Sequence, residues 1–563
     1  MTSQEKGETK PSKGVDLDTI LVDELGQFGK YQIVTLLLAA FPVIFSAFAS
    51  GEYIFTTARI NTRCLIPECD GPDPEFSPSW VLNAIPASGS SFEACERFVN
   101  ISTPAVVPDP TCPALLFDSS RRQDCNGYVY ENQLSVVYDV MYLQHSSCPY
   151  TNLLVVEVFD MACDEWRRSQ IGSIRTIGTL LVLPITGYIS DRWGRRVALT
   201  INAFNTGWIG LVRSFVNSYE WFLALEVIES SVGAGAYSSC YILVTELVGP
   251  KYRVIAGATI STLFALGQVI LGFIAWGIPA WRPLTQVLYA PQILVVSYFW
   301  ILSESVRWLM SKGRYEESEQ ILKKVAKSNK TVLSYKSLEL LRATAEKEKN
   351  TPKPKEPWLA ILVFRSRVIL SRCLVSPIWW ITNTLVYYGM NINSVNMTGN
   401  GYLNYVAVAA IEIPGYWTAI LLLDRIGRKP VLICAYWLCA ACQFAFAFMP
   451  DGNDGLRLAL YLFGKYCIAI VMTSVYVYTA ELYPTKYRHN LFAFSSMVGR
   501  LGSITAPLTP ALAQEVWEPF PSVLFGSFAC LSGLLIFTTP ETLGTTLPDT
   551  FEDAEQLGKA KPS

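Results

Sequence analysis

The chain has 563 residues, 51% hydrophobic and 16% charged, with a formal net charge of −2 and a mean hydropathy of +0.29. A soluble domain carries about 25% charged residues, so this composition argues against a soluble protein, and the absence of basic excess argues against a nucleic-acid partner. Only two histidines occur, and neither a Ser/His/Asp set nor a metal-ligand spacing is evident, so the chain does not read as an enzyme and needs no cofactor.

Residues 1–30 are polar and of mixed charge. They lack the short apolar core and cleavage site of a signal peptide, so the first apolar run should persist as a membrane span. Tyr31–Ser50, Val254–Trp281, Pro283–Ser303, Cys373–Ile411, Pro430–Pro450 and Pro519–Pro540 are free of charge. A hydrocarbon core about 30 Å thick needs about 20 apolar residues at 1.5 Å rise, and each run is long enough. Twelve spans are predicted, at 31–53, 169–189, 197–215, 220–246, 254–277, 283–303, 369–390, 400–422, 430–450, 457–480, 488–512 and 518–539. Several contain charge and are weaker alone, among them the second (Arg175), fourth (Glu226, Glu229), tenth (Lys465) and eleventh (Arg500).

Between the first two spans lies a hydrophilic segment, 54–168, with seven cysteines and the sequon Asn100-Ile101-Ser102. Dense cysteine in a polar segment reads as a disulfide framework in an oxidising compartment. Three bridges are expected among the seven, with the pairing open; Cys64, Cys69, Cys95, Cys112, Cys125 and Cys148 are the candidates. Residues 304–368 are rich in Lys and Glu and hold no cysteine. The positive-inside rule puts this linker in the cytosol as solvated helices. A regulatory or scaffold partner could dock there or on the tail. The sequon at Asn329 should then be silent, whereas that at Asn396 falls outside, open to glycosylation.

An internal repeat organises the rest. Asp191-Arg192-Trp193-Gly194-Arg195-Arg196 follows the second span and Asp424-Arg425-Ile426-Gly427-Arg428-Lys429 the eighth, an offset of 233 residues. Glu246-Leu247…Lys251-Tyr252-Arg253 ends the fourth span and Glu481-Leu482…Lys486-Tyr487-Arg488 the tenth, an offset of 235. Ser303-Glu304-Ser305 and Pro540-Glu541-Thr542 are a third echo, 237 apart. Three matched pairs at nearly one offset mean a duplicated six-span unit, the parallel repeat of a major facilitator fold. Asp191, Arg195, Glu246, Arg253, Asp424, Arg428, Glu481 and Arg488 are the candidate gating charges. Ion pairs at helix ends that form in one state and break in another bias a bistable element.

These motifs, with Phe159-Asp160-Met161-Ala162-Cys163-Asp164, Tyr387-Tyr388-Gly389, Gly464-Lys465-Tyr466-Cys467 and Pro540-Glu541-Thr542-Leu543-Gly544, resemble the organic ion transporters of solute carrier family 22 over nearly the whole chain. The resemblance implies alternating-access movement of small organic ions across a plasma membrane, with both termini cytosolic. No phosphate-binding Gly-rich loop occurs, in keeping with transport not driven by ATP. Coupling to Na⁺ or H⁺ is left open. The implied fold is an all-α membrane protein of twelve helices in two six-helix halves. Residues 1–30 form a tail, 31–303 the first half with the disulfide-rich loop, 304–368 the linker, 369–539 the second half and 540–563 the C-terminal tail.

In that family, cation carriers place an Asp where this chain has Arg500, and anion and carnitine-type carriers an Arg. A fixed guanidinium grips a carboxylate and repels a plain cation. The expected substrate is therefore a zwitterion such as a carnitine-like or β-amino-acid compound, or an organic anion; the alternative is an organic cation. Glu412 and Tyr416 lie one turn apart and could receive an ammonium group. Trp380, Tyr387, Tyr388 and Tyr476 offer aromatic walls. Lys465 either adds positive potential or is held by Glu481 or a backbone carbonyl. Arg175, where the family has an aromatic residue, is either a second carboxylate contact or a snorkelling side chain. Glu226 stands where the superfamily usually has Arg.

Overall fold

The computed structural model describes residues 17–557 apart from 89–90, 102–110, 133, 138–139, 144–153, 158–160, 351–357, 451, 546–547 and 549–550. Cys148, Ser102 of the first sequon, and Phe159 and Asp160 of the motif before the second span lie outside the described residues.

The apolar runs are helical. In chain order the long helices are α1 (Lys30–Thr56), α2 (Glu165–Trp193), α3 (Arg195–Arg213), α4 (Tyr219–Val232), α5 (Ala236–Leu247), α6 (Arg253–Gly277) and α7 (Trp281–Tyr289), which continues as tighter turns to Ile301. After the linker come α8 (Arg367–Ser394), α9 (Gly401–Ala410), α10 (Glu412–Ile426), α11 (Arg428–Ala447), α12 (Asp454–Leu482), α13 (Arg488–Thr505) and α14 (Phe520–Ile536). Among the described residues, seven helical segments are both long and apolar enough to cross a membrane by length and composition alone. The fourth predicted span is broken between α4 and α5. There Gly233 packs so tightly on α3 that a methyl group would sit 2.4 Å from the Thr206 hydroxyl. A tighter turn over Ala506–Leu508 interrupts the predicted eleventh span.

α1 packs on α6, α2 on α4, and α3 on α5. In the later part α8 packs on α13, and α11 on both α12 and α14. Between the two groups, Phe55 meets Tyr402 and Tyr405 with ring centroids 5.6 and 4.8 Å apart. Ser173 donates to the carbonyl of Ile504 at 2.8 Å, Asn391 to Gln268 at 3.1 Å, and Trp417 to Thr262 at 3.2 Å. These contacts lie at the end nearer the cysteine-rich segment or at the middle of the bundle.

That segment forms a cap built largely on short antiparallel strand pairs, among them Thr62–Cys64 with Tyr128–Tyr130 and Glu96–Asn100 with Phe117–Asp124. Its bridges are Cys64–Cys125, Cys69–Cys112 and Cys95–Cys163. Cys163, left out of the six candidates, is thus the partner of Cys95 and ties the cap to the foot of α2. Arg63 is buried under the cap, forked on Asp70 at 2.7 and 2.8 Å. The Asn100 amide nitrogen, the atom a glycan would occupy, donates to Glu68 at 2.9 Å; Asn396 is exposed.

At the opposite end, helices Val306–Ser311, Tyr315–Asn329 and Tyr335–Asn350 of the linker cover the first group of helices. A short helical segment, Leu17–Leu25, buries Leu17, Ile20, Leu21 and Leu25 against them. Asn329 anchors it, accepting from the backbone N–H of Tyr31 at 2.9 Å and donating to the carbonyl of Leu25 at 3.0 Å.

Candidate functional site: an aromatic wall and two buried ion clusters

The repeated motifs set the helix ends. Gly194 and Gly427 adopt φ of 112° and 115°, a region that glycine enters without strain. Each turns the chain from one helix into the next, α2 to α3 and α10 to α11. The third echo supplies the anion for the new helix N-terminus. Glu304 accepts from the backbone N–H groups of Arg195 and Arg196 at 2.8 and 3.1 Å, and Glu541 from those of Arg428 and Lys429 at 3.0 Å each. A carboxylate there satisfies orphan donors and complements the helix dipole. Arg195 reaches Asp191 at 3.0 Å and Glu246 at 3.3 Å; Arg428 reaches Asp424 and Glu481 at 3.1 Å each. These pairs tie helices together within one group and do not cross between the two. Arg253 is held by Asp18 of the N-terminal segment at 2.5 Å, not by Glu246, and Arg488 donates to Thr485 at 3.1 Å.

Buried in the later group is a compact ion pair. Lys465 and Glu412 are wholly inaccessible and 2.9 Å apart. Lys465 also donates to the carbonyl of Tyr387 at 2.8 Å and lies 3.6 Å from the centre of its ring. Tyr387 and Tyr416 donate to Glu412 Oε2 at 2.5 and 2.9 Å, and their hydroxyls are 2.8 Å apart. The acid expected to receive a substrate ammonium is therefore filled by the protein's own. Glu481, the other partner considered for Lys465, belongs to Arg428.

The earlier group holds a larger cluster. Arg175 binds Glu226, Glu229 at 3.0 Å and the carbonyl of Ala49 at 2.6 Å. Arg213 binds Glu226, Glu229 at 2.8 Å and Glu52 at 2.7 Å. Thr285 donates to Glu52 at 2.6 Å, and the Tyr289 hydroxyl lies 3.3 Å from Glu229 and from Arg213. Arg175 therefore neither snorkels nor waits for a carboxylate: it is locked in this cluster. Glu52 and Arg213 were missed by sequence reasoning because each sits at the end of a predicted span, where a charge passes as an interface residue.

A further charge within a predicted span is Arg500. It is half-buried on α13, and among the described residues its side chain has no carboxylate or hydrogen-bond partner. It stands within electrostatic reach of Tyr476, which in turn faces Tyr388 and Tyr241. Tyr237 faces Tyr476, Tyr241 and Tyr388 from α5. Tyr476 and Tyr241 are each 40% exposed; Tyr237 and Tyr241 belong to the first group of helices, Tyr388, Tyr476 and Arg500 to the second. Trp380 stands behind the wall: it is buried, donates to Thr479 at 3.0 Å, and backs Tyr476 at a ring distance of 4.7 Å. Of the predicted set, Arg500, Tyr388 and Tyr476 lie near one another, and Trp380 backs Tyr476. Tyr387, Tyr416, Glu412, Lys465 and Arg175 are sealed in the two clusters. Tyr237 and Tyr241 join the wall unpredicted; their i, i+4 spacing on one helix face was the available signal.

Comparison with known proteins supplies the family. Residues 128–553 match the model described as sugar (and other) transporter. The chain is 30% identical over 551 residues to an organic cation transporter protein of Drosophila melanogaster, covering 96% of this chain and 95% of that one. It is 30% identical to solute carrier family 22 member 3 of Rattus norvegicus over 73% of each chain, and 29% identical to the rat organic cation/carnitine transporter 2 over 94% and 92%. Among solved structures, the xylose transporter XylE from E. coli in a partially occluded inward-open conformation superposes with a TM-score of 0.58 at 17% identity, over 92% of this chain and all of that one. The chain thus belongs to the sugar (and other) transporter family, as a multi-pass membrane transporter of the solute carrier family 22 type with the major facilitator fold, and is not an enzyme.

Proposed function

We propose that this transporter moves small carboxylate-bearing organic ions across the plasma membrane by alternating access of two six-helix halves, 31–303 and 369–539, with both tails in the cytosol. The observation that carries the reading is Arg500, a half-buried guanidinium within a predicted span, close to Tyr476 and with no carboxylate upon it among the described residues. An isolated charge inside a bundle is costly, and a substrate carboxylate that forks onto it restores the missing partner. Lys465, Arg175 and Arg213 each have acids of their own, and the buried Arg372 donates to the carbonyl of Leu482 at 3.1 Å. With Glu412 filled by Lys465, the amine of a zwitterion would rest on the faces of Tyr237, Tyr241, Tyr388 and Tyr476. The change from pair to pair across the motif turns at Gly194 and Gly427 would accompany the swing.

A second reading, an organic cation carrier, is favoured by the same aromatic wall and by the names of the relatives. Uptake of labelled carnitine, β-alanine, glutarate and tetraethylammonium into cells separates the two. Carboxylate uptake is expected, falling at least about tenfold in Arg500→Ala, because a hydrogen-bonded charge contributes about 1.5–3 kcal/mol. Movement of tetraethylammonium alone, unchanged by Arg500→Asp, would overturn the proposal.

A further inference from the structure

The linker ends in a short helix, Leu359–Arg365, and Ser366 alone separates it from α8. Ser366 breaks the helical path with φ −97° and ψ 108°, and its hydroxyl caps α8 by accepting from the backbone N–H of Ile369 at 3.3 Å. The short helix folds back from this bend. Leu359 and Val363 pack on a cluster that holds Ile369 and Cys373 at the start of α8, Tyr483 just past α12 and Leu491 at the start of α13. The helix therefore lies at the level where the predicted seventh span enters the membrane.

Its opposite face is bare. Trp358, Ile361 and Phe364 are 78, 59 and 73% exposed. At about 100° per residue, these three fall on the arc opposite Leu359 and Val363, and Arg365 falls among them. Large apolar side chains exposed side by side mark an interaction surface. Arg365 and Arg367, both exposed, bracket the bend, and neither has a hydrogen-bond or carboxylate partner among the described residues. The acid at the bend, Glu555, accepts from the Ser366 hydroxyl. Helix Tyr315–Asn329 of the same linker shows the ordinary water-facing pattern: it buries Leu322, Val325 and Ala326 and exposes Glu316, Glu317, Lys323, Lys324 and Lys327.

We propose that the short helix lies in the membrane interface as an anchor, with Trp358, Ile361 and Phe364 at the acyl-chain boundary and Arg365 and Arg367 on the phosphates of anionic lipids. A bilayer is already beside this face, because one residue ties the helix to a membrane-spanning one. An apolar stripe flanked by cationic side chains is the pattern of an interfacial helix, with Trp at headgroup level. Guanidinium forks onto phosphate, and the linker, placed in the cytosol under the proposed function, faces the leaflet that holds anionic lipid. The proposal does not depend on which substrate is carried.

Photocrosslinking of the full chain in nanodiscs of phosphatidylcholine with a minor share of phosphatidylserine tests this. In Phe364→p-benzoylphenylalanine, mass spectrometry after irradiation should find phospholipid attached to the chain. Phosphatidylserine should be enriched at least about fivefold over its share of the bilayer, the equivalent of one arginine's attraction to an anionic surface. High salt should abolish the enrichment, and so should Arg365→Gln/Arg367→Gln. In Val363→p-benzoylphenylalanine, on the packed face, the crosslink should go to the chain itself. Capture at position 364 of the chain's own linker or tail, or of no lipid at all, would overturn the proposal. So would lipid adducts at 363 in place of 364, or adducts at 364 that mirror the bulk composition at low salt. The salt series keeps both arginines and decides the matter even where the double variant does not fold.

Discussion

Replacing Lys465 by Met tests how the buried pair is held. At 2.9 Å and an effective dielectric constant of about 20, the attraction is about 6 kcal/mol. Against it stands the cost of removing both ions from water, several kcal/mol each, so the pair as a whole contributes little to stability. Removing one partner is different. In Lys465→Met, Glu412 stays fully buried and keeps Tyr387 and Tyr416 on Oε2, but loses the ammonium beside Oε1. The expected loss is about 3–5 kcal/mol. Lys465→Met/Glu412→Gln removes both charges and should recover most of that, leaving a deficit of about 1–2 kcal/mol from the hydrogen bonds to Tyr387 and its carbonyl. Thermal unfolding of the detergent-purified full chain, followed by thiol-reactive dye at its buried free cysteines, gives the ordering: wild type, then double variant, then single variant. A single variant as stable as wild type, or a double variant no better than the single, would refute the argument that Glu412 depends on Lys465.

Three further outcomes follow from the geometry. Gly194→Ala places a methyl group 2.1 Å from Glu304 at φ 112° and should destabilise by about 1–3 kcal/mol; Gly187→Ala meets open space and should be neutral or slightly stabilising. Cys163→Ser should free Cys95 for maleimide labelling in the denatured chain and cost about 2–4 kcal/mol, whereas Cys148→Ser should leave Cys95 unlabelled. Burial raises the Glu68 pKa, but hydrogen bonds from Arg97 and Asn100 and the Arg97 charge outweigh it, so the group sits below its ordinary value. The folded pKa is therefore below the unfolded one. Stability from this pair is present above about pH 4.5 and is lost as pH falls through the folded value; hydrogen exchange of Glu96–Asn100 should quicken over that acid range, and Glu68→Gln should remove the dependence.

The helices were legible because twenty apolar residues in a row leave the backbone few alternatives, and Arg253–Gly277 begins within a residue of its predicted start. The duplicated motifs were legible as a pattern, and the structure supplies a use for the third: Glu304 and Glu541 each occupy a helix N-terminus that Gly194 and Gly427 turn toward them. Who pairs with whom was not legible. Glu52 and Arg213 are 161 residues apart, and nothing local in the sequence separates a charge at a membrane interface from one folded inward. Lys465 and Glu412 were both singled out, yet only their packing on Tyr387 distinguishes a sealed pair from two lines of a pocket wall. Cys163 lost to Cys148 because disulfide choice depends on which strands meet, and that is decided by the cap's own small core of Ile66, Val81, Ile85 and Phe117.

The bridge from Cys95 to Cys163 fastens the cap to one side of the machine. Cys163 lies two residues before α2, so when that helix tilts the cap tilts with it, as a lever arm fixed to the first set of helices. A reagent that grips the cap alone would ride along unfelt, whereas one that also clasps Asn396, at the end of α8, would splint the two sides and stall the cycle.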